Sequence, residues 1–203
     1  MGSLGAQALT AASDLDLILV YDGGDAETSE GRRPLPVRQY YARLTKALVT
    51  AASVPMAEGK LYEIDMRLRP SGRQGPVATS LAAFRSYQET EAWTWEHLAL
   101  TRARPVAAAG TGGAALAEEV EGFRRALIAA PRDPEKVLAD VADMRRRLAE
   151  AGGAGADPYE AKKGPGRMQE IELFAEAAAL LAGSPERRIE AQLAAAEAIG
   201  WTT

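Results

Sequence analysis

The sequence predicts an α+β fold: a mixed sheet with flanking helices over residues 1–107, then a bundle of helices over residues 114–203. Two apolar-rich segments in the first part, residues 14–20 and 61–69, have the composition of strands. Beyond them the apolar residues recur at helical spacing. Ala107 to Gly113 is nearly all Ala, Gly and Thr, which indicates a linker between two domains.

The bulk composition limits the kinds of partner and of metal site. The chain has 203 residues, no cysteine and a net charge of -4. Without thiolates and with a single histidine, any metal ion has to be held by oxygen ligands. The negative charge argues against a nucleic-acid partner. No apolar run approaches the roughly 20 residues that span a bilayer, and the N-terminus lacks a signal pattern, so we expect a cytoplasmic protein without a membrane partner.

Each element of the first domain is predicted from a local pattern. Residues 14–20 place apolar side chains on both faces, as in a strand buried on both sides, and the acidic, Gly- and Pro-rich residues 22–36 predict an exposed loop. Apolar residues at helical spacing predict a helix that packs on the sheet and ends before Pro55; they are Val37, Tyr41, Leu44 and Leu48. Ser80 is the expected N-cap of the next helix, and another carries Trp93 toward Arg104.

The segment from Leu61 to Arg69 is predicted to be an alternating strand. Its core face would carry Tyr62, Ile64, Met66 and Leu68, and its ionic face Glu63, Asp65, Arg67 and Arg69. The second face therefore presents charged groups to whatever binds there.

The second domain is predicted to contain only helices. Asp133 caps a helix with Val137, Val141, Met144 and Leu148 on its inner face, and Gly152 to Gly155 end it. A helix from Met168 to Leu181 follows, with Ile171 and Phe174 inward, and Ser184 and Pro185 open the last one.

Asp14 and Asp16 are the first candidate metal ligands. Two residues apart on a strand, their carboxylates lie on one face, where their mutual repulsion favours a bound cation. Oxygen ligands indicate Mg²⁺ or Mn²⁺. Asp65, on the ionic face of the other strand, would complete the set if the strands are neighbours. Two such ions suit phosphoryl transfer, because both the attacking and the leaving oxygen need stabilisation.

The predicted phosphate site is made of a turn and two cations. Gly2 lets the backbone approach a phosphate closely, and the Ser3 hydroxyl can donate to it. Arg67 and Arg69 share the face of Asp65, and a guanidinium group can bind phosphate oxygens in pairs. We therefore expect a triphosphate to bind at this turn.

Gly2-Ser3, Asp14-x-Asp16 and the later Asp65 resemble the motifs of the polymerase beta-like nucleotidyltransferase superfamily. Within it, the chain is similar to the glutamine synthetase adenylyltransferase family. The resemblance is carried by SDLDLILVYD (13–22), LYEIDMRLRPSG (61–72), GPVATS (75–80), EAWTWEHLALTRAR (91–104) and, more weakly, KKGPGRMQEIE (162–172).

This resemblance implies transfer of AMP from ATP to a tyrosine of glutamine synthetase, as in the C-terminal half of the family enzyme. It implies that Asp14, Asp16 and Asp65 are catalytic metal ligands. It also implies that the nucleotide is bound by Gly2, Ser3, Ser13, Arg67 and Arg69. The expected partners are glutamine synthetase and the PII signalling protein. Family members have a strand before the glycine turn and further C-terminal helices, so we expect the chain to lack these.

Two alternative functions stay open at the level of sequence. The same site can remove AMP from the synthetase by phosphorolysis. Alternatively, the chain is a nucleotide-binding or partner-docking module that has lost catalysis with its first strand.

Overall fold

The computed structural model describes residues 1–151 and 159–202. They form two compact units: Met1–Ala92 with Arg104–Phe123, and Trp93–Ala103 with the chain from Arg124 onward. The predicted domain limits, 1–107 and 114–203, stay a prediction; the compact units interleave along the chain. The predicted helix end at Gly152 to Gly155 lies outside the described residues.

The strands of the first unit are short and pair in parallel. β1 (Leu15–Asp16) pairs with β3 (Ile64–Asp65), and β2 (Val20–Tyr21) pairs with β4 (Thr79–Ser80). Residues 15–21 pair first with β3 and then with β4. Leu17 N donates to Asp65 O at 2.8 Å, and Leu19 O accepts from Thr79 N at 3.0 Å. With the helices described below, these strands are consistent with the predicted α+β class, but they form two parallel pairs where a mixed sheet was predicted. Within the described residues the antiparallel pairings are isolated bridges only, Thr28–Pro36 and Met56–Gly59.

Both predicted strands are shorter in the structure. The prediction that residues 14–20 form one strand buried on both sides is wrong, because residues 17–19 lie between β1 and β2 and residues 15–20 are only half-buried. The predicted strand over 61–69 ends at Asp65, whose carboxylate accepts the Arg67 N–H at 2.8 Å. A short polar side chain that bonds the following backbone ends a strand in this way. Arg69 N then donates to Met66 O, closing a turn.

The helices of the first unit follow the sequence periodicity. α1 is one turn (Gly2–Gly5), α2 spans Val37–Ser53 and α3 spans Leu81–Thr90. The Ser80 hydroxyl accepts a hydrogen bond from Ala83 N at 3.3 Å, which confirms the predicted cap. α2 ends before Pro55 as predicted. Its predicted inner residues Leu44 and Leu48 are nevertheless 45% and 48% exposed, because its buried position is Thr45.

Every regular element among the described residues of the second unit is a helix. This unit contains α4 (Thr94–Thr101), the end of α5 (Gly113–Ala129), α6 (Pro134–Ala151), α7 (Met168–Leu181) and α8 (Ile189–Ala198). Its core consists of Leu98, Leu173, Ala177 and Leu180, with Val141, Met144 and Trp201 against it.

The details of the second unit confirm some predictions and correct others. Asp133 caps the start of α6 by accepting the Glu135 N–H at 3.0 Å, as predicted. Ile171, predicted inward, is 45% exposed. The last helix begins at Ile189, later than predicted from Ser184 and Pro185. No helix within the described ranges is long and apolar enough to cross a membrane.

An ion cluster is enclosed in the second unit. Arg102 Nη1 lies 3.1 Å from Glu172 Oε1 and 3.3 Å from Glu176 Oε1, with the Arg102 side chain only 7% exposed. Burial raises the pKa of Glu176 to about 7, against the opposing effect of Arg102. Folding therefore favours the protonated form of this carboxyl group.

We predict that this carboxyl group makes the chain less stable as pH rises from about 4.5 to about 7. In that window the folded state holds a proton that the unfolded state has released, so the free energy of unfolding falls with pH, by at most about 1.4 kcal/mol per pH unit. Glu176→Gln should flatten this slope in urea unfolding at several pH values. Glu197→Gln, an exposed change on α8, should keep the wild-type slope. Equal slopes for wild type and Glu176→Gln would refute the prediction.

Candidate active site

The parallel pairing of β1 and β3 brings the predicted acidic residues together. Asp16 and Asp65 are opposite each other in register. Side chains at opposed positions of neighbouring strands share a face, and their backbones lie about 4.8 Å apart. Asp14 precedes Asp16 by two residues, at a position that continues this face. The backbone thus places the three predicted ligands on one side of the first unit.

An open cleft of about 320 Å³ lies over this part of the first unit. Its lining is Asp14, Glu63, Ile64, Asp65, Met66, Arg67, Arg69 and Arg73. Asp14, just before β1, and Asp65, in β3, therefore meet basic groups from the following loop at one surface, whereas Asp16 does not line the cleft. An anion and a cation could both be bound there.

Gly2 lies directly against the Asp16 carboxylate. Its φ is +50°, and a β-carbon at this position would overlap Asp16 Oδ2. The Met1 nitrogen donates to the Asp16 carbonyl oxygen at 2.8 Å, which ties the start of α1 to the same residue. Only glycine tolerates both the backbone conformation and the contact. The predicted glycine turn is therefore next to the predicted metal ligands.

The two predicted serines have different surroundings. Ser3 is half-buried within α1, and its carbonyl oxygen accepts from Ala8 N at 2.9 Å. The Ser13 hydroxyl bonds to Thr10 N at 3.0 Å and to the Thr10 hydroxyl at 2.9 Å. In this arrangement Ser13 closes the turn that leads into β1. Nucleotide binding by Ser3 and Ser13 stays a prediction.

Arg67 is the cation that meets the acidic residues. Its Nε donates to Asp65 Oδ2 at 2.7 Å, and its backbone N–H donates to Oδ1. The side-chain bond from Arg67 holds the pKa of Asp65 below its usual value. The pKa of Arg67 is raised chiefly by its bond to Asp65, with further contributions from the charges of Asp16 and Asp14. All three carboxylates thus act on one guanidinium group.

The donor set fits a hard divalent cation in chemistry, since it offers carboxylate oxygens on adjacent strand positions. Across residues 1–151 and 159–202, however, no three acidic or histidine side chains converge as a ready-made metal site. Asp65 is instead paired with Arg67, whose side chain is 65% exposed. A metal ion would need Arg67 to turn away, which such an exposed side chain can do. The assignment of Asp14, Asp16 and Asp65 as metal ligands stays a prediction.

Arg69 and Arg73 both line the cleft, but only Arg69 was predicted from the sequence as a site residue. Arg69, a predicted phosphate ligand, lines the cleft, but its guanidinium binds backbone carbonyls. Arg73, which the sequence reasoning missed, lines the same cleft. The signal for it was present, because Pro70-Ser71-Gly72 predicts a turn that brings the chain back toward Arg67.

Comparison with known proteins identifies the family of this chain. The family model described as glutamate-ammonia ligase adenylyltransferase matches residues 1–119, which include all the strands and the cleft. The chain belongs to the glutamate-ammonia ligase adenylyltransferase family. The predicted family resemblance is thereby confirmed.

Relatives in this adenylyltransferase family are similar over most of the chain. The bifunctional glutamine synthetase adenylyltransferase/adenylyl-removing enzymes of Mesorhizobium japonicum and Brucella suis are 48% and 49% identical over 181 residues, 89% of this chain. The enzyme of the same name from Xanthobacter autotrophicus is 49% identical over 178 residues, 87% of the chain. In each case the chain spans only 18% of the relative's length.

We predict that Gly2→Ala destabilises this adenylyltransferase-family chain more than Gly24→Ala does. Both glycines have φ +50°, so both alanines carry the same backbone cost of about 1–2 kcal/mol. Only the alanine at position 2 also meets the Asp16 carboxylate, since Gly24 has nothing within 4 Å. Thermal unfolding of the two variants measures the difference. Equal melting temperatures would show that Gly2 does not lie against Asp16.

Proposed function

We propose that this chain is a nucleotidyltransferase catalytic module with the polymerase beta-like fold, which transfers AMP from ATP to a tyrosine hydroxyl of glutamine synthetase. The observation that carries the proposal is the in-register placement of Asp16 and Asp65, with Gly2 against Asp16. The names of the relatives indicate the protein substrate and the transferred group.

In this proposal Asp14, Asp16 and Asp65 hold Mg²⁺ or Mn²⁺. When bound, such an ion would stabilise charge on the attacking and leaving oxygens. The proposal is supported by the oxygen-only donors of the set and by their common face. It also accounts for a group of like charges on one face, which Arg67 offsets only in part.

The chain's own groups have distinct tasks in the reaction. The tyrosine oxygen attacks the α-phosphorus, the bond from that phosphorus to the β-phosphate oxygen breaks, and pyrophosphate leaves with the electron pair. Arg67 exchanges Asp65 for the departing phosphate oxygens and balances their charge. Asp65, released from that ion pair, accepts the tyrosine proton at a carboxylate oxygen. Gly2 keeps the backbone close to Asp16 throughout.

The proposal predicts that the purified chain labels glutamine synthetase from ATP carrying label in its α-phosphate, in the presence of Mg²⁺. Asp65→Asn should lower the rate by at least about 100-fold, because it removes both a ligand and the proton acceptor. Asp14→Asn should also lower it, through one lost ligand. The readout is labelled AMP on the synthetase after gel separation.

The matched control is Asp25→Asn, which removes one exposed carboxylate from the loop after β2. It should transfer AMP at the wild-type rate. Transfer by Asp65→Asn at that same rate would rule out the assigned site. Release of ADP from adenylylated synthetase and inorganic phosphate, with no forward transfer, would assign the chain to AMP removal instead.

A further inference from the structure

Arg69 connects the two ends of the loop that borders the cleft. Its Nη1 donates to Met66 O at 2.8 Å, its Nη2 to Arg73 O at 3.2 Å and its Nε to Gly75 O at 3.3 Å. The acceptors come from the start and the end of residues 66–75. A planar guanidinium group with donors in fixed directions is suited to such a clamp, since one side chain reaches several carbonyls at once.

The clamped loop has a tight and partly strained backbone. Ser71 and Gly72 are both left-handed, with φ values of 58° and 53°. A non-glycine residue in this region costs about 1–2 kcal/mol. A β-carbon at Gly75 would overlap the carbonyl oxygen of Pro70. The three hydrogen bonds from the Arg69 side chain add to the backbone bonds that hold this loop.

The loop presents two other arginines to the cleft. Arg67 and Arg73 are exposed and line the same surface as Asp14 and Asp65. The Arg73 guanidinium has no hydrogen bond or ion pair with any residue that the structure describes. Its charge nevertheless contributes to the lowered pKa of Asp65, after the larger effect of Arg67. Arg73 therefore lies close enough to act on an anion in the cleft.

We propose that Arg69 is a positioning residue that clamps loop 66–75, and that Arg67 and Arg73 are the cations that bind the phosphates of ATP. The inference rests on the proposed function, because it assigns the residues that bind the nucleotide of that site. It replaces the direct phosphate contact predicted for Arg69. The three carbonyl groups that accept from Arg69 hold its guanidinium group within the loop, whereas the side chains of Arg67 and Arg73 are exposed.

Binding of MgATP to the whole chain, measured by calorimetry, tests the two roles. Arg73→Gln should weaken binding by about 10-fold, as expected for a lost charged hydrogen bond, and Arg73→Lys should keep most of the affinity. Arg69→Lys should lose as much affinity as Arg69→Gln, because lysine keeps the charge but cannot reach three carbonyls. Arg32→Gln, which removes an exposed arginine from the loop before α2, should bind as wild type does.

Hydrogen exchange of the amides of residues 67–75 separates positioning from contact. Both Arg69 variants should exchange faster in this loop with an unchanged α3, whereas Arg73→Gln should exchange as wild type does. Gly75→Ala provides a second route that changes no charge: its β-carbon displaces the loop, so it should reproduce the loss of affinity and the faster exchange.

Several results would overturn the inference. They are wild-type affinity in Arg69→Lys, wild-type affinity in Arg73→Gln, tight binding by Gly75→Ala despite a loosened loop, and failure of the wild-type chain to bind MgATP. If MgATP binds with the expected pattern of variants but no AMP reaches glutamine synthetase, the proposed function fails while the assignment of the loop stands.

Discussion

The first unit depends on one electrostatic constraint: carboxylates of like charge are fixed on neighbouring positions of β1 and β3. Parallel pairing sets Asp16 beside Asp65, and Asp14 extends the same face. Neutral residues there would remove the repulsion, so the arrangement lowers the stability of the free chain. The exposed guanidinium of Arg67 offsets part of this repulsion. A divalent cation bound to these carboxylates would offset more of it.

Two of the ion clusters in the described part of the chain show why exposure decides what an arginine can do. Arg67 pairs with Asp65 through a side chain that is 65% exposed, so it can leave its partner for a ligand at little cost. Arg102, 7% exposed, pairs with Glu172 and Glu176 inside the second unit. Moving it would leave two partly buried carboxyl groups without their partner, which is costly. The first arrangement permits exchange, and the second maintains the packing of helices.

Sequence reasoning predicted what depends on local pattern and missed what depends on tertiary coverage. The limits of α2 and the Ser80 cap followed from periodicity and residue chemistry, whereas the pairing of the acidic strands was only a condition of the predicted site. Periodicity finds an apolar face but not what covers it, so Leu44 and Leu48 were placed inward although they are exposed. The alternating pattern likewise predicted that the second strand continues through Arg69. That pattern does not show that the Asp65 carboxylate accepts a hydrogen bond from the backbone N–H of Arg67, which turns the chain.

That turn changes the chemistry available in the cleft. Had the strand continued, Arg69 would project beside Arg67, and Arg73 would lie farther along the sheet. The reversal instead puts Arg73 on the cleft and turns Arg69 onto carbonyl oxygens. Carbonyl dipoles hold a guanidinium group without neutralising it, unlike carboxylates. Arg69 therefore keeps its full charge a short distance from the cleft, so the residue that shapes the loop also adds to the positive potential that an incoming triphosphate meets.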